Sequence, residues 1–396
     1  MSNDLWPFRP LPLEGESLFS WFTRVAHENY LTTVQLQRCL LEGSIPAPRD
    51  LDRFACDELI NNLSCHTGVA VEHIRSMYYG RWKGRMQEKD DGRGILPWLL
   101  PILKGENRSP LGQPYCPHCL AEDEVPYMRL NWRLSFAPIC PRHKVFLERN
   151  CPHCTAPVVI HDLAPEVKLD RCIECGKHLG GKRPHTSEEW ITLTLAGQNG
   201  LLKAAETGET LLGRYGSVPP VEFFFVALRL LQILASRTAA LPLRAYLAST
   251  LDWRLSPSSI PRLRQLHRFN FRSRAILVAM TWWLMQDWPR RFVDACQASG
   301  ITSRDLLKRR QPAPFAFTNP VEKHLFVAAE EREPDEVEQN ARTYSVAWGH
   351  HRYWKLDGVS PDVRAAAKLA ARKNGDAVGS WVDQVLREKL EQTLLL

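Results

Sequence analysis

Seven of the chain's eleven cysteines fall between Cys116 and Cys175, in spacings that suit a metal ion better than a disulfide. Three are CxxC pairs, Cys116/Cys119, Cys151/Cys154 and Cys172/Cys175, and a fourth pair, Cys140/His143, is a CxxH. Two ligands two residues apart on a tight knuckle reach one ion, and two knuckles complete a tetrahedral site of thiolate and imidazole. Eight ligands therefore serve two ions. Pairing in chain order gives Cys116, Cys119, Cys140 and His143 as one set and Cys151, Cys154, Cys172 and Cys175 as the other. That arrangement is preferred; a cross-brace, first pair with third, uses the same residues and stays open. Pro117 and Pro152 stiffen the two Cys-Pro-His-Cys motifs, and Gly176 follows Cys175 where the chain must turn back. His118 and His153 lie between ligand cysteines and are expected outside the coordination sphere.

A catalytic zinc keeps an open position, and neither set leaves one. Two structural zinc ions are expected, each contributing on the order of 10 kcal/mol or more to folding. Clustered pairs without a surrounding βαβ pattern argue against a thioredoxin-like dithiol. The sequence also shows no GxxxxGK[ST], HExxH or GxSxG pattern, so no catalytic residue is assigned and the chain is read as a non-enzyme.

The elements that position these ligands follow from length and periodicity. With 396 residues, 44% of them apolar, the chain has material for several domains with real cores. A net charge of +7 is modest for this length, so local basic patches carry more information than the total. Thiols in metal spacings point to a reducing compartment, and Cys39, Cys56, Cys65 and Cys296 are expected as small buried hydrophobes. Met1 to Arg9 lacks a signal-peptide pattern and no apolar run reaches membrane-spanning length, so a cytoplasmic protein with no membrane partner is expected.

The fold class expected is mainly α with a small zinc-ribbon or zinc-finger β region. Residues 1–95 form an N-terminal helical, helix-turn-helix-like domain, 96–185 the double zinc-finger region and 186–311 an all-α domain with a second helix-turn-helix candidate. A linker follows over 312–345, and 346–396 is a ribbon-helix-helix-like or helical tail. In the first domain Leu18, Trp21, Phe22, Val25 and Ala26 share a helical face after Glu16-Ser17, and Thr32 or Thr33 caps a second helix through Leu41. The arm from Leu5 to Pro12 offers Trp6 and Phe8 for docking, and Val71 to Met77 forms a short helix. Gly80 to Gly94 reads as a basic loop, with Trp82 among Arg81, Lys83, Arg85, Lys89 and Arg93, either solvated or gripping phosphate. Alternation from Pro126 to Leu134 suggests a strand with Trp132 inward and Arg129 and Arg133 at the surface.

In the helical half, Phe223 to Leu234 is apolar on more than one face and reads as a central helix. Arg262, Arg264, Arg268, Arg272 and Arg274 then crowd together with His267, Phe269 and Phe271 between them, a candidate phosphate-facing surface. Phe292 to Arg310 fits a helix-turn-helix, with Ser299-Gly300 turning, Ile301 plugging the core and Thr302 or Ser303 capping. Arg304, Lys308, Arg309 and Arg310 would face a groove. The tail repeats strand, helix, turn, helix: His351 to Leu356 as strand, Ser360-Pro361 as start and Asn374-Gly375 as stop, with Tyr353 and Lys355 on one strand face. A lone strand needs a partner, which implies a homodimer or a partner strand from another chain.

These motifs together resemble one known family, TniQ. The residues that carry the resemblance are Tyr115 to Leu120, the Asp123 to Tyr127 approach to Trp132-Arg133-Leu134, Ile139 to His143, Leu147 and Cys151 to Cys154. Gly15 to Leu18 with Ser20-Trp21, and Leu63 to Met77 containing Thr67-Gly68-Val69, resemble that family's opening. The likeness covers roughly residues 6 to 180, and the tail departs from the family's usual pattern. It implies a non-catalytic adaptor in transposition target selection, linking a target-recognition device to an AAA+ regulator. In CRISPR-associated members that device is an RNA-guided complex and the adaptor is often a dimer. Other members of the wider family bind an attachment site in DNA directly, so a sequence-specific DNA-binding protein is the alternative.

Overall fold

The computed structural model describes residues 5–41, 50–87, 90, 94–104, 109–184, 188–236, 240–261, 266–307 and 313–326, with scattered positions from 367 to 389. The chain divides into two compact units, Met1–Val327 and Ala328–Leu396. In the second, only isolated helical positions such as Ala370, Ala371, Trp381 and Val382 are described. The tail strand with Tyr353 and Lys355, and its expected helix start and stop, lie outside the described residues.

The first unit opens with a helical module. Helix α1 (Leu18–Glu28) starts where the Ser17 hydroxyl accepts the Ser20 amide, and it buries Leu18, Trp21, Phe22 and Val25. Tyr30, at φ 55, turns the chain; the Thr32 side chain and Gln35 then form a reciprocal capping box that starts α2 (Thr33–Leu40). Helix α3 (Asp57–Thr67) stops at Gly68, whose positive φ suits a left-handed cap, and α4 (Val71–Ser76) follows. Their apolar faces meet in one core with Ile102 from further along. The amino-terminal arm docks on this module through Trp6, whereas Phe8, the other aromatic expected to dock, is exposed. The Trp21 indole donates to the Pro10 carbonyl at 2.8 Å, and Trp6 stacks on His66 with centroids 4.9 Å apart.

The Gly80–Gly94 stretch differs from both of its expected readings. Trp82 is buried, with its indole hydrogen-bonded to Glu206, and Arg81 pairs with the same carboxylate at 2.6 Å. Arg85 donates to the carbonyls of Ala205 and Glu206. Cations at the carboxyl end of a helix meet unpaired carbonyls and the negative pole of its dipole, so this basic loop has a protein partner. Lys89 and Arg93 lie outside the described residues.

A short antiparallel ladder, β1 (Leu103–Lys104) with β2 (Ser109–Pro110), leads into the cysteine region, where α5 (Pro117–Glu122) carries the first knuckle. The strand expected from Pro126 to Leu134 is instead a 3-10 turn over Leu130–Arg133, with Arg129 bridging back to Glu16. Alternation suggested a pleat, but inward side chains here come from a tight turn that packs Leu130 and Trp132 on different cores.

The remaining helices are α6 (Ile191–Thr207), α7 (Pro220–Leu234), α8 (Ala240–Thr250), α9 (Phe271–Met285), α10 (Arg290–Ala298), α11 (Ser303–Leu306) and α12 (Phe315–His324). Helices α7 and α9 are buried on most sides, as the multi-faced apolar run from Phe223 suggested. Helix α6 crosses α9 closely because Gly197 and Gly200 face Trp282: a Cβ on Gly200 would come within 2.1 Å of the indole. Helix α12 occupies part of the expected linker and buries Phe317 and Val321 in the same core. Among the cysteines outside the metal spacings, Cys296 is buried as expected, whereas Cys39, Cys56 and Cys65 are exposed on an amphipathic module whose inner faces are already filled. Among the described residues no helix is long and apolar enough to cross a membrane.

Candidate metal centres

The eight ligands gather into the two sets that follow chain order. Cys116, Cys119, Cys140 and His143 place their ligand atoms within 4.8 Å of one another, and so do Cys151, Cys154, Cys172 and Cys175. Sequential pairing is therefore the observed arrangement. In the first set Cys119 Sγ lies 3.7 Å from Cys140 Sγ and 3.3 Å from His143 Nδ1, and His143 Nδ1 is 3.5 Å from Cys116 Sγ. In the second, Cys151 and Cys175 are 3.7 Å apart and Cys154 and Cys172 are 3.6 Å apart. A tetrahedron built on zinc–ligand bonds of about 2.3 Å to sulfur and 2.0 Å to nitrogen has edges of roughly 3.5–3.8 Å. The quoted separations fit that figure except Cys119–His143, which is slightly shorter at 3.3 Å.

Three of the four knuckles repeat one backbone device. The amide of the leading cysteine donates to the carbonyl five residues on: Cys140 to Val145, Cys151 to Ala156, Cys172 to Lys177. The residue four past the leading cysteine, Lys144, Thr155 or Gly176, has a positive φ and donates its amide back to that cysteine's carbonyl. Antiparallel bridges Ile139–Phe146, Asn150–Pro157 and Arg171–His178 close each loop. Cys116 departs from this pattern because Pro117 occupies the first position of α5, so its knuckle opens a helix.

The sites differ in shielding and in their outer partners. All four ligands of the first set are buried, whereas Cys154 is exposed and Cys175 half-buried in the second. His143 turns its other nitrogen, Nε2, to Glu122 Oε2 at 3.0 Å, which fixes the ring with Nδ1 facing the thiols. Glu122 was not singled out from sequence; its place on α5, three residues past Cys119, is the signal that was there to find. His118 and His153 sit outside both sets: the Arg183 amide donates to His118 Nε2, and His153 Nε2 lies 3.2 Å from the His178 carbonyl.

Behind the ligands lies a group of arginines, of which Arg133 and Arg274 are buried and Arg129 and Arg149 half-buried. Arg133, expected at the surface, is fully buried and paired with Asp50 at 2.6 Å and Asp52 at 2.8 Å, while its Nε and Nη2 donate to the Leu100 carbonyl. Burial pushes the Asp52 carboxyl up to about 6 against the pull of Arg133. Arg129 pairs with Asp123 and lies over the Tyr127 and Trp132 rings. Arg149 and Arg274 have no such acids: burial lowers Arg149 to about 10 and Arg274 to about 9, each lowered further by a neighbouring arginine.

The candidate nucleic-acid residues are not drawn into one surface among the described residues. Arg268 is exposed, while Arg272 pairs with Glu188 at 3.0 Å and lies over Trp190. Arg274, from the same stretch, is interior. Arg304 is exposed on α11, whose described part is one turn, capped by the Thr302–Asp305 box after Gly300 at φ +66. Arg262, Arg264, Lys308, Arg309 and Arg310 lie outside the described residues.

No curated protein matches the chain. The TniQ family model matches residues 7–147, from the docked arm through the complete first ligand set. Over that segment the chain is similar to the TniQ family.

Proposed function

We propose that this protein is a non-catalytic adaptor in transposition target-site selection, acting as a homodimer that joins a target-recognition complex to an AAA+ regulator. The observation that carries the reading is the TniQ match over residues 7–147, the segment that contains the first metal centre. The chemistry of both centres supports a scaffold: four ligands at tetrahedral spacing complete a structural zinc site and leave no position for substrate. Zinc in both centres holds the cysteine region in shape, and the surfaces on either side carry the partner contacts.

The target-recognition complex is an RNA-guided CRISPR assembly in this reading, and direct recognition of a DNA site is the competing one. Coexpression of the full chain with an AAA+ regulator and an RNA-guided complex from its own genomic neighbourhood tests both. Copurification of all three supports the adaptor. Tight binding of the isolated protein to one DNA duplex, retained at raised salt, transfers the recognition step to this chain.

A further inference from the structure

The two metal centres present their thiols to solvent differently. In the first, Cys116, Cys119, Cys140 and His143 are all buried, and the imidazole among them cannot enter a disulfide. In the second all the ligands are thiols; Cys154 is exposed and Cys175 half-buried, while Cys151 and Cys172 lie inside. The exposed Cys154 Sγ is 3.6 Å from the buried Cys172 Sγ, and a disulfide bond closes that gap by roughly 1.5 Å. Cysteine oxidation follows thiolate character and exposure, and it proceeds to a disulfide where a second thiol is poised beside the first. Zinc binds the thiolate, so coordination keeps the reactive form present.

The loop between the two knuckles of this centre is also a joint. Val158, Ile160, Leu163 and Leu169 pack in one core with Cys151 and Cys172. From the same loop His161 stacks on Phe19 of α1 at 5.1 Å, and its carbonyl accepts the Thr33 hydroxyl of α2 at 2.7 Å. We propose that the second centre is an oxidation site, at which a peroxide links Cys154 to Cys172, frees the ion and loosens the docking of α1 and α2. The Cys154 thiolate attacks one peroxide oxygen, the O–O bond breaks and hydroxide leaves, giving a sulfenic acid. The Cys172 thiolate then attacks Cys154 Sγ, and the sulfenic oxygen leaves as a second hydroxide. Two electrons pass from sulfur to peroxide, and two protons from solvent turn the hydroxides into water. Cys151 and Cys175 alone are half of a closed tetrahedral set, so the ion departs. The enclosed first centre keeps its own.

The test uses the full-length, zinc-loaded chain carrying Cys39→Ser, Cys56→Ser and Cys65→Ser, which removes exposed thiols outside both sets. The proposal rests on zinc in both centres, which metal analysis of the untreated protein checks first; fewer than two ions per chain overturns it. Zinc retained after gel filtration is then measured at successive times in millimolar hydrogen peroxide. Disulfides are mapped by mass spectrometry, and amide exchange is read over α1 and α2. The expected result is that one ion leaves at least about tenfold faster than the other. Its loss accompanies a Cys154–Cys172 disulfide and faster exchange in α1 and α2, both reversed by a dithiol with added zinc. Equal loss of both ions, a faster ion without that disulfide, or unchanged exchange in α1 and α2 overturns the proposal. Should the triple variant fail to fold, the same readouts on wild type decide, since mapping separates the three extra thiols.

Discussion

Arg133 shows how far a residue's type can mislead about its place. In sequence it is one more cation on an alternating stretch; in the fold it closes a network of Asp50, Asp52 and the Leu100 carbonyl across more than 80 residues of chain. Removing one partner of a buried ion pair leaves the other uncompensated, so Arg133→Met is expected to cost about 3–5 kcal/mol in denaturant unfolding. Adding Asp52→Asn should restore part of that loss. His161 provides a pH test. It is stacked on Phe19 at 5.1 Å, and burial holds its imidazole below the ordinary pKa. The unfolded chain then takes up a proton that the folded chain refuses, so this contribution is complete above about pH 6.5 and is lost as pH falls through the lowered value. His161→Phe keeps the stack, and its melting temperature should fall less than wild type's between about pH 7.5 and 5.5. The two Cys/His clusters that could hold metal ions were legible because thiol spacing encodes them locally. The burial of Arg133 was not, since its partners Asp50 and Asp52 lie more than 80 residues away in the chain.

At the scale of elements, the cysteine region is one loop device used three times and a helix start used once. The two centres should differ in lability because Cys154 and Cys175 reach solvent while the first set is enclosed. Titration with a chelating dye is expected to remove the second ion well before the first, and Cys154→Ser should abolish only the fast phase. Simultaneous release would contradict this. Packing of α6 on α9 offers a separate check. Gly200→Ala sets a methyl against Trp282, and a loss of about 1–3 kcal/mol is expected from overpacking, read by thermal unfolding. Helix existence was readable where caps and periodicity agreed, as for α1 and α2, and from an unbroken apolar run for α7. Pro126 to Leu134 was misread because a 3-10 turn and a strand can both send alternate side chains inward. The loop around Trp82 was misread because its partner is the end of α6.

For the whole first unit, the TniQ match and the folding boundary do not coincide. The matched segment ends at residue 147, between the two metal centres, while Trp82, Trp98, Leu134 and Phe136 pack in the same core as α6, α7 and α9. A fragment of residues 7–147 would expose that aromatic surface. It is expected to aggregate or to lack cooperative unfolding, whereas a chain through residue 327 should unfold cooperatively. Calorimetry of the two fragments, each with zinc supplied, checks this. Domain limits placed at composition changes assume that neighbours in sequence share a core, and Trp82 breaks that assumption.

The Trp82 indole finds its acceptor on Glu206, 124 residues downstream. A ribosome adding about 5–20 residues per second takes roughly 6–25 s to supply that partner. During that interval the amino-terminal helices are already made, yet Trp82, which packs with the later helices, stays wet. The nascent chain is therefore born with a timed period of exposure, which ends only when α6 has been made.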